Sequence, residues 1–126
     1  QKRDFWLYFT SVLVRYESNF NPNTRYVEKG KIRGVVSLGL LSMSYKSAKH
    51  NYDCDPASAK ESDLKKEKWN LQCGIKIVHF WLKEDAAFNN GGSSGVATYY
   101  GPLRSGRKEL AGIKSYLRQA KACGLE

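Results

Sequence analysis

The chain has 126 residues, a length that supports its own core and predicts a single domain over residues 1–126. Its 41% hydrophobic and 26% charged residues exclude a disordered chain, and no apolar run reaches the roughly 18 residues of a membrane span. The 21 Lys and Arg against 12 Asp and Glu give a net charge of +9, which favours polyanionic surroundings such as nucleic acid, anionic lipid or bacterial cell wall.

The first predicted element is an amphipathic helix over residues 4–15, with Asp4 at its N-cap. Its apolar residues recur at helical spacing and are Phe5, Phe9, Val12, Leu13 and Tyr16. Turn-forming residues from 18 to 23 end this helix, so Glu17 is expected at its C-terminus. Residues 24–37 contain Gly30 and Gly34 with β-branched residues, which predicts a loop or short irregular β-structure.

The middle and end of the chain predict three further helices. A short helix is expected over residues 38–50, followed by a polar, turn-rich segment over 51–67. Residues 69–84 are the most apolar segment and predict a long, central, buried helix. A flexible turn over 89–95 and an aromatic segment over 96–103 precede a last helix over 107–122, for which Ser105 is the candidate cap. The expected architecture is mostly helical, with a small β-element.

Three cysteines limit the redox and metal chemistry. Cys54 and Cys73 flank one polar segment, which favours a disulfide between them, with Cys123 left over. A closed zinc site would have to recruit His50 or His79 from scattered positions, so no metal site is predicted. A disulfide favours an oxidising compartment.

Glu17 is the candidate catalytic residue that the helix pattern itself indicates. A carboxyl group near a helix C-terminus feels the negative end of the helix dipole, and partial burial beside aromatic residues also disfavours its ionised form. A carboxyl group that stays protonated near neutral pH suits a general acid for glycosidic cleavage. The alternative from these residues alone is a surface glutamate at a frayed helix end.

Five short motifs follow one another along the chain. They are residues 17–23 (ESNFNPN), residues 37–43 (SLGLLSM), Asn70-Leu71 with Gly74-Ile75, residues 97–101 (ATYYG), and Tyr116-Leu117. In this order they resemble the motifs of the lytic transglycosylases, a group in the lysozyme-like superfamily that also contains the goose-type lysozymes. The first resembles the signature Glu-Ser-x-Phe-Asn-Pro that opens the catalytic domain of that group.

This resemblance implies a lysozyme-like α+β fold and an enzyme, either a lytic transglycosylase or a lysozyme. The implied reaction is cleavage of the β-1,4 bond between MurNAc and GlcNAc in peptidoglycan, with Glu17 as general acid and base. No cofactor is implied, and a monomeric bacterial protein, periplasmic or secreted, is expected. The residues that the resemblance assigns to substrate binding are Ser18, Ser37, Leu40, Ser42, Met43, Tyr99, Tyr100 and Tyr116.

Two departures from the family pattern bear on specificity. Ser42 stands where the family usually has Gln, and Tyr100 stands where Asn is usual. The smaller Ser42 removes an amide from the cleft, which implies tolerance of N-deacetylated glycan. Glu28, the acidic residue between residues 18 and 52, is the candidate second carboxylate that a hydrolase needs and a lytic transglycosylase does not. The alternative for Glu28 is an exposed charge beside lysines.

Two other functions remain open at the level of sequence. A catalytically silent relative that binds cell wall is consistent with Ser42. A basic nucleic-acid-binding domain is consistent with the charge, but the chain lacks a helix-turn-helix signal and a zinc module, so nucleic acid is not expected as a partner. Any export signal is expected either to have been removed or to be missing from this sequence, and Leu125-Glu126 resembles an expression-vector scar.

Overall fold

The structure is a computed structural model that describes residues 2–54, 60–89 and 94–122. The chain divides into two compact units. The terminal unit comprises Gln1–Tyr16 with Trp81–Glu126, and the middle unit comprises Glu17–Phe80. Within the described ranges, no helix has both the length and the apolar character needed to cross a membrane.

The terminal unit is built mainly from two helices. Helix α1 spans Lys2–Ser18, all but its last two residues lying in this unit, and the C-terminal helix α3 spans Lys108–Ala122. Helix α1 begins two residues earlier than predicted, so Asp4 lies in its first turn and not at the N-cap. Aromatic rings from α1 pack on Phe88, with the Phe9 and Phe88 centroids 4.8 Å apart. The buried side chains include Phe9, Leu13, Val96, Tyr100, Leu103 and Ile113.

The middle unit contains a small antiparallel sheet of three strands in the order β1-β2-β3. The strands are β1 (Arg25–Val27), β2 (Val36–Leu38) and β3 (Met43–Ser44). Tyr26, Ser37 and Ser44 are directly paired across the strands, so their side chains share one face because side chains alternate along a strand. The small β-element and the α+β, mostly helical class are confirmed, and they fit the lysozyme-like fold.

Helix α2 spans Glu67–Asp85 and contains the predicted central helix. One of its faces is buried by residues such as Cys73, Ile77 and Val78. The opposite, polar face is exposed, for example at Gln72 and Lys76. Phe80, at the edge of the buried face, is also 41% exposed, and its ring lies 5.3 Å from that of Tyr52. The prediction of a helix buried nearly all round is therefore wrong.

The short helix predicted over residues 38–50 is wrong in its first half. Residues 36–38 and 43–44 are strands, and the residues between them form a turn. Gly39 and Ser42 have φ angles of +79° and +45° in this turn, a left-handed conformation that interrupts a right-handed helix. Helical backbone begins only at Tyr45 and continues in the π-helical turn Ser47–Asn51.

The predicted disulfide between Cys54 and Cys73 is confirmed and joins the segment before α2 to the helix itself. A short 3-10 helix, Glu61–Lys65, lies between them. There the Asp63 carboxylate accepts a hydrogen bond from the Lys60 N–H at 2.8 Å. That bond and the adjacent Lys66 hold the pKa of Asp63 below its usual range. Cys123 lies outside the described residues.

Candidate active site

Glu17 lies in the last turn of α1, as predicted, and its side chain is half-buried. The helix ends at Ser18 because Asn19 and Phe20 both adopt left-handed backbone conformations, with φ angles of 50° and 62°. The Asn21 N–H then donates to the Ser18 carbonyl at 3.1 Å. Ser18 itself is buried. The chain thus leaves the helix in a tight turn immediately after the glutamate.

The β2–β3 turn, residues 39–42, is held by one buried amide on α2. Asn70 is fully buried, and its Nδ2 donates to the carbonyls of Leu38 and Leu64 at 3.0 and 2.8 Å. Its Oδ1 accepts the N–H of Leu41 at 2.8 Å. Gly39 passes so close that a Cβ atom there would collide with the Asn70 amide. Asn70 therefore fixes the turn against the helix.

Ser42 joins this turn to the end of α1. Its hydroxyl donates a hydrogen bond of 2.9 Å to the backbone carbonyl of Glu17. The last carbonyls of a helix have no partner within the helix, so this bond satisfies one of them. Ser42 therefore positions the backbone of the candidate catalytic residue, a contact that its expected place in the glycan cleft did not predict.

Glu28 follows β1 directly, and its carboxylate is tied to the same sheet. The Ser37 hydroxyl donates a hydrogen bond of 2.7 Å to Glu28 Oε1. Ser37 is 5% exposed and Glu28 is half-buried, so the expected alternative of a freely exposed charge does not describe Glu28. One sheet and its turn thus contact both glutamates, Glu17 through its backbone and Glu28 through its side chain.

The remaining predicted binding residues lie in different surroundings. Leu40 and Met43 are buried in the middle unit, Met43 completely. Three tyrosines belong to the terminal unit: Tyr99, Tyr100 and Tyr116. Tyr100 is buried and packs edge-on against Tyr99, with ring centroids 5.0 Å apart. The roles of these residues in substrate binding stay predictions.

The side chain of Arg15 packs on the ring of Tyr116. The Arg15 guanidinium lies 4.8 Å from the ring centroid of Tyr116 and also donates a hydrogen bond to its hydroxyl. Both contacts fix the ring of Tyr116 against α1.

Asn70 is the residue whose role the sequence analysis missed. It was predicted only as part of a motif, whereas in the structure its amide makes three hydrogen bonds, to the end of β2 at Leu38, to the β2–β3 turn at Leu41 and to the 3-10 helix at Leu64. The available signal was a short amide on the buried face of a helix, because a buried polar side chain normally has a specific partner. In the described ranges, no group of three or more His, Cys, Asp or Glu side chains is placed to hold a metal ion.

Solved structures of Bd0314 DslA are similar to this chain. One glutamate-to-glutamine mutant gives a TM-score of 0.80 at 30% identity, and the wild-type form 2 gives 0.78 at 31%. A second glutamate-to-glutamine mutant gives 0.77 at 31%. Each match covers 90% of this chain and 65% of the DslA chain. No family model and no curated protein matches the sequence.

Proposed function

We propose that this protein cleaves the glycan strands of peptidoglycan at the β-1,4 bond between MurNAc and GlcNAc. The observation that carries the proposal is the attachment of Glu17 and Glu28 to one sheet and its turn, through Ser42 and Ser37. Glycoside hydrolases use a pair of carboxylic acids, which the protein must hold in place on either side of the glycosidic bond. We infer the substrate from the resemblance of the five sequence motifs to those of lytic transglycosylases and lysozymes.

Glu17 is the general acid of the proposed hydrolysis: it donates its proton to the glycosidic oxygen, which leaves as a hydroxyl group. Glu28 is the second carboxylate and acts as general base, which accepts a proton from the attacking water. The proton on Glu28 then returns to Glu17 through solvent, which restores both groups for the next turnover. The proposed enzyme is therefore a hydrolase of the lysozyme type, since a lytic transglycosylase uses the muramoyl 6-hydroxyl in place of water and needs no second carboxylate.

The spacing of the glutamates supports both assignments. The two glutamates replaced in the Bd0314 DslA mutants are eleven positions apart, and Glu17 and Glu28 have the same separation. The confirmed disulfide supports the proposed periplasmic or secreted location, because disulfides persist in oxidising compartments. Ser42 in place of the usual Gln supports tolerance of N-deacetylated glycan.

The test is the clearing of a purified peptidoglycan suspension by the wild type, Glu17→Gln and Glu28→Gln, with mass spectrometry of the released fragments. Glu17→Gln keeps the shape of the side chain but loses the transferable proton, so we expect a loss of at least about 100-fold. We expect fragments with reducing ends. Full activity of Glu17→Gln would overturn the catalytic assignment, and anhydro ends would identify a transglycosylase. Binding of peptidoglycan without cleavage by the wild type would identify a silent cell-wall-binding relative.

A further inference from the structure

Ser37 occupies the centre of the sheet, and its hydroxyl has a defined partner. As the middle residue of β2 it pairs with Tyr26 on one side and Ser44 on the other, so its backbone is fixed by both neighbouring strands. Its side chain is 5% exposed. A hydroxyl group at this depth needs a hydrogen-bond partner, and Ser37 finds one in Glu28 Oε1 at 2.7 Å.

The backbone of Glu28 is fixed as well, although it lies beyond the end of β1. Its N–H donates to the Val35 carbonyl at 2.8 Å, and its own carbonyl accepts the Gly34 N–H at 3.2 Å. These two backbone hydrogen bonds leave the rotation of the Glu28 side chain as the remaining freedom. The bond from Ser37 removes that freedom, and its length lies in the range of strong bonds from a hydroxyl to a carboxylate, about 2.5–2.7 Å.

We propose that Ser37 is a positioning residue, which holds the Glu28 carboxylate in the orientation that the reaction uses. This inference rests on the proposed function and assigns Ser37 to Glu28, whereas the sequence assigned it to the substrate. A carboxylate that must assist water gains rate from a fixed orientation. Without the hydroxyl, a half-buried glutamate spreads over several rotamers, so the turnover number falls while substrate affinity changes little.

The experiment is a double-mutant cycle of Ser37→Ala and Glu28→Gln, with kcat and KM measured on peptidoglycan. We expect Ser37→Ala alone to lower kcat about 10-fold with little change in KM, a loss typical of a hydrogen bond to a charged group. In the Glu28→Gln background the same substitution should have little further effect, because the carboxylate that it positions is gone. A residue needed only for folding would lower activity equally in both backgrounds.

Ser44→Ala is the matched control, since Ser44 faces Ser37 across the strands, is also buried and bonds to Ser47. We expect Ser44→Ala to keep its kcat and Ser37→Thr, which retains the hydroxyl, to recover most of the loss. If Ser37→Ala does not fold, Ser37→Cys of similar size takes its place in the cycle.

The outcomes separate this inference from the proposed function. An active wild type with an inactive Glu17→Gln variant supports the function. With that result, full activity of Ser37→Ala, additive losses in the cycle, or full activity of Glu28→Gln would each overturn the role of Ser37 and leave cleavage intact. A wild type that cleaves no peptidoglycan overturns the function and the role of Ser37 together.

Discussion

Gly39 determines how closely the β2–β3 turn approaches α2. It has a positive φ angle, and a Cβ atom would collide with the Asn70 amide and with the Leu64 carbonyl. Gly34 also has a positive φ angle, of +88°, but faces open space. The two glycines therefore separate the cost of backbone strain from the cost of a collision.

We expect Gly39→Ala to lower the free energy of unfolding by about 3 kcal/mol or more, because strain and overpacking add. Gly34→Ala is the matched control and should cost about 1 kcal/mol, the penalty of a left-handed alanine. Urea denaturation followed by circular dichroism measures both. Equal losses in the two variants would mean that the contact between Gly39 and Asn70 contributes nothing to stability.

Ser42 combines two properties that substitution can separate. Its hydroxyl holds the Glu17 carbonyl, and its small size leaves room where the lytic transglycosylase family has Gln. Ser42→Ala removes the hydroxyl and stays small, so we expect lower kcat/KM on acetylated and deacetylated peptidoglycan alike. Ser42→Gln removes the hydroxyl as well, but adds the amide that the lytic transglycosylase family usually has at this position. We expect it to shift the preference about tenfold toward the acetylated glycan, which is the effect of one polar contact. A preference ratio that is the same in all three proteins would contradict a role of Ser42 in specificity.

At the scale of elements, the sequence predicted what periodicity and turn chemistry encode locally. The three α-helices were predicted to within three residues at each end, and the disulfide was predicted from the segment that Cys54 and Cys73 flank. The prediction of a helix over residues 38–50 was wrong for its first half, because the pairing of β2 with β1 and β3 overrides the local preference of those residues.

The contacts of the candidate site were not predictable from local pattern. The sequence indicated Glu17 and Glu28 as candidate site residues, but it did not indicate their contacts. The hydrogen bond from Ser42 to Glu17 joins positions 25 apart in sequence. The bond from Ser37 to Glu28 depends on the register of β1 against β2. A shift of one residue in that register would move Ser37 to the opposite face of the sheet. Such contacts follow from tertiary structure, which a single sequence does not display.

The disulfide is expected to stabilise the segment that leads into α2. It joins Cys54 to Cys73 over a separation of 19 residues, and the Trp69 indole donates to the Cys54 carbonyl at 2.9 Å beside it. Closing a loop of this size stabilises a protein by about 3 kcal/mol in the chain-entropy model. We expect the double variant Cys54→Ala with Cys73→Ala to melt about 10 °C lower than the wild type. Cys123→Ala is the control and should leave the melting temperature unchanged; a loss as large as that of the double variant would argue against the bridge.

At the scale of the whole molecule, the positive charge is shared almost equally by the two units. The terminal unit has ten Lys and Arg against five Asp and Glu, and the middle unit has eleven against seven. Their net charges are therefore +5 and +4, which together give the +9 of the chain. Because both units are cationic, attraction to a polyanion involves the whole protein and does not depend on one basic segment.

This charge predicts that binding to peptidoglycan, which carries carboxylates on its peptides, weakens as salt is added. Glu17→Gln is the suitable protein, since it is expected to bind without destroying the polymer. We expect the fraction that sediments with peptidoglycan to fall between about 0.1 M and about 1 M salt, as the Debye length shrinks from about 10 Å to about 3 Å. Binding to chitin, an uncharged glycan of similar backbone, should change little over the same range. Equal retention on peptidoglycan at both salt concentrations would show that the charge does not contribute to binding. DNA binding should weaken with salt as well, because neutralised phosphates release counterions. Stronger retention on DNA than on peptidoglycan would therefore favour a nucleic-acid partner.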